Sequence, residues 1–241
     1  MEMATSFKYA NKYVLITGSS RGVGRLLSEY MIQNGAVVIG FSRGRPAYEC
    51  ENYHHISVDI GDPKSVQEGF AVVRKLVPAL HILINNAGVA TSQYAMIMSP
   101  ESAQKMLTVN IFGAFLVSKE ASKLMRKNKW GRIINIGSIM SSLEPAGGSI
   151  YAATKAALIS MSNVVAKELS SFNITSNTLA LSGYPTDMMR ALAPDVLDGV
   201  INSLVIPRLT MEDDIFNVID FLASERSSYI TAQTIYLGGI N

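Results

Sequence analysis

With 241 residues, 48% of them hydrophobic and only 17% charged, the chain has the apolar material for one large domain whose sheet is buried on both faces. Its formal net charge of +2, from 21 basic against 19 acidic residues, is too balanced for nucleic acid to be the main partner. One cysteine, Cys50, excludes an intrachain disulfide, and three histidines without a Cys/His cluster argue against a metal site. The N-terminal segment lacks an apolar signal core and no run approaches ~20 apolar residues, so a soluble, cytoplasmic protein is expected.

In chain order, Tyr13–Thr17 is a short apolar, β-branched run that reads as a strand. It enters the turn Thr17-Gly18-Ser19-Ser20-Arg21-Gly22-Val23-Gly24, after which Val23, Leu26, Leu27, Tyr30 and Met31 give helical spacing to Asn34. A strand, a glycine turn and a helix suit a dinucleotide: the glycines let the backbone approach a pyrophosphate, whose charge sits on the free amides of the helix start. The spacing G-x-x-x-G-x-G departs from G-x-G-x-x-G, and a glycine loop alone is a weak signal. Further strands are predicted at Val37–Phe41, His55–Val58, Ile82–Asn85, Arg132–Ile136, Ile174–Leu179 and Thr234–Leu237. Helices are predicted over Val66–Leu76, Ala103–Met125 and Ile150–Phe172, the last apolar on two sides and therefore packed on more than one face. This alternation predicts an α/β fold: a doubly wound, seven-stranded parallel sheet with helices on both faces and right-handed crossovers. No linker, repeat or low-complexity tract divides the chain, so residues 1–241 are read as a single domain.

Tyr151 and Lys155, four residues apart on the helix predicted over Ile150–Phe172, fall on one face within reach of a single ligand. Two unit charges ~5 Å apart at an effective dielectric of ~20 interact by roughly 3 kcal/mol, about two pKa units, so the ammonium can favour a phenolate. Taken alone, the pair is common on surface helices. Its company alters that reading: the glycine turn, Asn85-Asn86-Ala87-Gly88, Asn110, Ser138 and Tyr151-Ala152-Ala153-Thr154-Lys155 stand in one order and spacing. On these residues the chain resembles the short-chain dehydrogenase/reductase family from about Lys12 to Gly239, and within it the 3-oxoacyl-acyl carrier protein reductase type. The stretches Gly131–Ser138, Phe221–Ser224 and Tyr229–Thr234 add to that likeness.

The resemblance implies a single-domain Rossmann fold and an oxidoreductase acting on a carbonyl, with Asn110, Ser138, Tyr151 and Lys155 as catalytic residues. Tyr151 would protonate the carbonyl oxygen, Ser138 would hydrogen-bond it, Lys155 would lower the tyrosine pKa and hold the nicotinamide ribose, and Asn110 would anchor a water relay. Taken singly, Ser138 reads equally well as a strand-end hydroxyl and Asn110 as a polar helix kink. Cofactor contacts are implied for Gly18, Ser19, Ser20, Arg21, Gly22, Val23 and Gly24, for Asn86, Ala87 and Gly88, and for Tyr151 and Lys155 themselves. Asp59 and Ile60 match the pair that borders the adenine; the alternative for Asp59 is a cap on the helix beginning near Pro63. After the second strand an NAD enzyme usually presents an acid, yet here Ser42 stands in that place, followed by Arg43. With Arg21 in the glycine turn, two guanidinium groups can converge on a 2′-phosphate, which predicts NADP(H).

The family's usual Pro-Gly is replaced by Ser182-Gly183-Tyr184-Pro185-Thr186, in which Gly183 and Thr186 are expected beside the nicotinamide although the loop is one residue shorter. Beyond it Met188, Met189, Leu192, Leu197, Val200, Ile201 and Leu204 read as an apolar lid, faced by Met96 and Met98, suited to an acyl chain or serving as core filler. Lys119, Lys123, Arg126, Lys127, Lys129 and Arg132 form a basic stretch, either a solvated face or a dock for an acidic carrier protein. The resemblance therefore implies NADPH-dependent reduction of a 3-oxoacyl thioester, in fatty-acid biosynthesis or a dedicated pathway. A ketone or sugar alcohol dehydrogenase is the alternative, and a nonenzymatic NADP-sensing scaffold a third reading. The substrate would be a small molecule or carried on acyl carrier protein, with no nucleic acid or membrane partner. A homo-tetramer or dimer would assemble through residues 103–125 and 150–172.

Overall fold

The computed structural model describes residues 8–46, 49–185 and 194–240, with the backbone alone for 194–197. Seven strands, β1 (Tyr13–Thr17), β2 (Val37–Ser42), β3 (Tyr53–Ser57), β4 (Ile82–Asn85), β5 (Gly131–Ser138), β6 (Ile174–Leu181) and β7 (Thr234–Tyr236), form one parallel sheet in the order β3-β2-β1-β4-β5-β6-β7. The expected doubly wound sheet is therefore present, with its change of winding direction between β1 and β4.

Side-chain parity shows why the strands need cover on both faces. Val14, Ile16, Ile82, Ile84, Ile134 and Ile136 point into one core, shared with helix α1 (Gly22–Gln33). Their neighbours Leu15, Leu83 and Ile133 point into the other, against α2 (Pro63–Leu76). Because both faces are buried, the strands read as continuous apolar runs instead of alternating ones.

Helix starts lie upstream of the first apolar repeats because capping sets them. Asp62 accepts from the amides of Lys64 (3.0 Å) and Ser65 (3.3 Å) ahead of Pro63, and Ser99 caps α3 (Pro100–Leu107) from Ser102 N at 3.2 Å. The helix expected over Ala103–Met125 is in fact two: a π-helical stretch, Thr108–Gly113, separates α3 from α4 (Ala114–Asn128). Next come α5 (Met140–Leu143), α6 (Ser149–Leu169), α7 (Pro194–Asn202) and α8 (Glu212–Ala223), which covers the first core. A 3-10 turn at Ser170–Phe172 completes the segment predicted as one helix to Phe172. Among the described residues no helix is long and apolar enough to cross a membrane.

Beneath the carboxyl ends of β4, β5 and β6 lies a buried polar ladder. Asn85 Nδ2 donates to Ser118 Oγ (2.9 Å) and Asn135 Oδ1 (2.8 Å), Asn135 Nδ2 donates to Ser162 Oγ (3.1 Å), and Ser162 pairs with Ser176 at 2.9 Å. Buried polar groups with such partners hold strands and helices in one register. The ladder ties α4 and α6 to the middle of the sheet, directly under the residues considered next.

Candidate active site

A cleft of about 930 Å³ runs across the carboxyl ends of the strands, from the end of β2 to the start of α6. Such a position, at the switch in winding direction, is where open α/β sheets receive ligands. At its centre Gly18 adopts φ 69° and donates its amide to Phe41 O at 2.7 Å, closing the turn after β1. A Cβ on Gly24 would lie 2.2 Å from Gly18 O and 2.4 Å from Asn86 Nδ2, so only glycine lets α1 sit this close to the turn. Arg21 is the N-cap of α1 but provides no side-chain cap, leaving the first-turn amides without that partner.

Gly18, Ser20, Arg21, Gly22 and Val23 line the cleft, whereas Ser19 is buried and accepts the Tyr53 hydroxyl at 2.9 Å. Asn86, Ala87 and Gly88 line it from the end of β4. Thr17 Oγ1 accepts from both Asn86 N and Ala87 N at 3.0 Å, and Asn86 Nδ2 donates to Thr17 O at 2.9 Å. These bonds lock two of the loops together. At the far end of β2, Ser42 and the exposed Arg43 line the wall, and neither Arg21 nor Arg43 makes an ion pair with a described residue. Asp59 and Ile60 follow β3 into the same cleft. The Asp59 carboxylate closes its own turn by accepting from Gly61 N at 2.9 Å, while Asp62 is the acid that caps α2.

At the other end Ser138 terminates β5, and Tyr151 and Lys155 reach the cleft from the first turns of α6. Lys155 Nζ donates to Ile136 O at 2.7 Å and lies 5.8 Å from the centre of the Tyr151 ring. Burial brings the lysine down to about 8. The Tyr151 phenol moves upward, chiefly through burial, against the opposing effect of its hydrogen bond with Ser138. Burial thus sets the direction of the Tyr151 shift, opposite to the lowering expected from Lys155.

Asn110 does not line the cleft. It is buried in the π-helical stretch, where Oδ1 accepts from Val89 N at 2.8 Å and Nδ2 donates to Val89 O (2.9 Å) and Thr154 Oγ1 (3.0 Å). Its side chain thus clamps the loop after β4 to α6, between Tyr151 and Lys155. Thr154 and Thr17 were not singled out from the sequence; Thr154 stands inside the Tyr151–Lys155 motif, whereas Thr17 looks like an ordinary strand end.

Gly183 lines the cleft and accepts Thr210 N at 2.7 Å, and Thr186, Met188, Met189 and Leu192 lie outside the described residues. The side chain of Leu197 does too. Val200 and Leu204 pack on Ile139, with Val200 at the cleft wall. Met96 is 98% exposed, and neither it nor Met98 lines the cleft. The basic stretch also contracts. Arg132 is fully buried, stacked 4.4 Å from Trp130 and bonded through Nε to Ser224 O at 3.1 Å; Lys123 pairs with Glu120. Among the described residues no group of His, Cys, Asp and Glu could hold a metal ion.

A parallel sheet with a glycine turn at its switch point, and a Ser–Tyr–Lys cluster at one end of the cleft there, defines a doubly wound α/β protein built around a ligand cleft. Comparison with known proteins narrows this. Residues 12–197 match the short chain dehydrogenase family, and the chain belongs to it, which makes it an oxidoreductase by family. It is 35% identical over 237 residues to the 3-oxoacyl-[acyl-carrier-protein] reductase FabG of Escherichia coli, covering 96% of this chain and 97% of that one. To the 3-oxoacyl-[acyl-carrier-protein] reductase MabA of Mycobacterium bovis it is 33% identical over 231 residues, covering 96% and 93%. A short chain dehydrogenase of Leptospira borgpetersenii, solved with bound NAD+, superposes with a TM-score of 0.88 at 25% identity, covering 99% of this chain and 96% of that chain.

Proposed function

We propose that the chain is an NADPH-dependent reductase of 3-oxoacyl thioesters, acting in fatty-acid synthesis or a dedicated lipid-like pathway on carrier- or coenzyme A-linked substrates. The observation that supports it most is the convergence of Ser138, Tyr151 and Lys155 at one end of a cleft whose other end presents Arg21 and Arg43. The resident residues fit a phosphorylated dinucleotide: the approach enforced at Gly24 and the uncapped start of α1 suit a pyrophosphate, and Arg21 and Arg43, neither ion-paired with a described residue, suit a further phosphate. Relatives named as 3-oxoacyl-[acyl-carrier-protein] reductases support the substrate class. A reduced nicotinamide, when bound, supplies the hydride that adds to the carbonyl carbon.

The protein's own work is at the oxygen. Ser138 Oγ hydrogen-bonds the developing alkoxide, and Tyr151 gives it the phenolic proton, completing the C–H and O–H bonds of the alcohol. Burial favours the protonated phenol, the form that can donate. Lys155, held near the ring, stabilises the phenolate left behind and reaches toward the cofactor ribose. Asn110 fixes α6 through Val89 and Thr154, and from that position would anchor the water of a proton relay reaching Lys155. Homo-oligomerisation through α4 and α6 belongs to this reading as well.

The test is NADPH oxidation with acetoacetyl thioesters on carrier protein and on coenzyme A, beside small ketones and polyols. Faster turnover of the thioesters is expected. Preference for small ketones or polyols would replace the reading with a ketone or sugar alcohol dehydrogenase, and NADPH binding without turnover of any of them would favour a nonenzymatic role.

A further inference from the structure

Ser42 stands at the end of β2, buried apart from its contact with the cleft wall, and its Oγ lies 2.8 Å from His55 Nε2 on the edge strand β3. A serine hydroxyl has a single proton. If that proton goes to the imidazole, Ser42 offers the cleft only lone pairs, which an anionic ligand would find repulsive. If the imidazole donates instead, the serine proton is free to point into the cleft, beside Arg43. We propose that His55 is a positioning residue for cofactor selectivity: its Nε2–H donates to Ser42 Oγ and thereby directs the Ser42 hydroxyl toward the 2′-phosphate of NADPH. This rests on the reading that the cleft takes NADPH.

The neighbouring architecture gives β3 the reach to do this. His55 is in register with Gly40 of β2, and Tyr53, two residues earlier on the same face, crosses to Ser19 of the glycine turn. A Cβ on Gly40 would stand 2.2 Å from Tyr53 Oη and 2.4 Å from Ser19 Oγ. The absent side chain at Gly40 thus opens the passage through which an edge-strand hydroxyl touches a cofactor loop. His55 makes the parallel connection one step along the strand. Partial burial lowers the imidazole pKa, so near neutral pH the ring has one N–H and one lone pair, and an anion in the cleft selects the tautomer with the proton on Nε2.

The experiment is direct binding of NADPH and NADH to the full chain, without substrate, for wild type, His55→Ala, His55→Asn, His55→Gln, Ser42→Ala and the double variant His55→Ala/Ser42→Ala. Loss of one neutral hydrogen-bond donor predicts a rise of about three- to tenfold in Kd for NADPH with His55→Ala and His55→Asn. NADH affinity stays as in wild type. His55→Gln, whose amide N–H falls near the position of Nε2, keeps NADPH affinity within about twofold of wild type. In the Ser42→Ala background His55→Ala has no further effect, since the two act as one unit. The Asn variant supplies the result if the Ala variant does not fold. Equal losses for both cofactors, no loss, or additive losses in the double variant would overturn the role of His55. A wild-type chain that binds NADH as well as NADPH would instead overturn the cofactor reading beneath it.

Discussion

At the β5–α6 end of the cleft, Lys155 is buried and bonded to Ile136 O, Ser138 is buried beside it, and Asn110 beneath them has both side-chain atoms engaged. At the β2 end, Arg21 and Arg43 are exposed, long and without a described ion-pair partner. The contrast follows from the tasks proposed for each. Proton transfer depends on atoms held to fractions of an ångström in a low-dielectric corner, so that end is over-determined by hydrogen bonds. Phosphate recognition tolerates flexible cations that close around a charge, so that end relies on Coulomb attraction and charge-assisted hydrogen bonds. One end should therefore govern turnover and the other affinity.

The largest expected effect is at the buried end. Tyr151→Phe removes the proposed proton donor and should reduce kcat by about 10²- to 10⁴-fold, measured as steady-state reduction of an acetoacetyl thioester. Lys155 gives a pH signature of the same end. Its native pKa is about 8 against an ordinary 10.5, so between those values the unfolded chain holds a proton that the folded chain has lost. Stability contributed by this site consequently rises with pH from about 8 to 10.5, and the cost of burying the charge is present in full below 8. Lys155→Met should change the unfolding free energy relative to wild type by an amount that shifts on the order of 3 kcal/mol across that window. Urea unfolding at several pH values measures it, and a pH-independent difference would show that the lysine is not buried as a charge. The smallest effect belongs to the exposed end. Arg43→Ala should weaken NADPH binding by about ten- to a hundredfold, leaving NADH little changed.

Much of the sheet was legible because buried parallel strands leave uninterrupted β-branched runs: Tyr13–Thr17 and Ile82–Asn85 have the boundaries their composition predicts. β3 begins at Tyr53, two residues before the predicted start, because Tyr53 and His54 pair with β2 without extending an apolar run. The π-helical stretch at Thr108–Gly113 was not legible, since its residues preserve the apolar periodicity of a continuous α-helix while the hydrogen-bond pattern changes. Likewise Arg132 looks like the end of a basic face, and only the tertiary fold shows its guanidinium stacked on Trp130 and bonded to the carbonyl of Ser224. The glycine turn and the Ser138, Tyr151 and Lys155 positions were accessible because together, in one order and spacing, they resemble a known family's pattern, whereas each alone was a weak signal. The His55–Ser42 contact was not, because it joins side chains of two neighbouring strands, thirteen residues apart in sequence, that only the β2–β3 pairing brings together.

A crossed comparison of Tyr151→Phe and Arg43→Ala tests the division of the cleft most directly, with NADPH Kd and single-turnover rate at saturating cofactor measured on both variants. The expected result is reciprocal: Tyr151→Phe loses turnover and retains NADPH affinity, whereas Arg43→Ala loses NADPH affinity and turns over near the wild-type rate once saturated. Undiminished turnover in Tyr151→Phe, or comparable losses of both quantities in both variants, would contradict it.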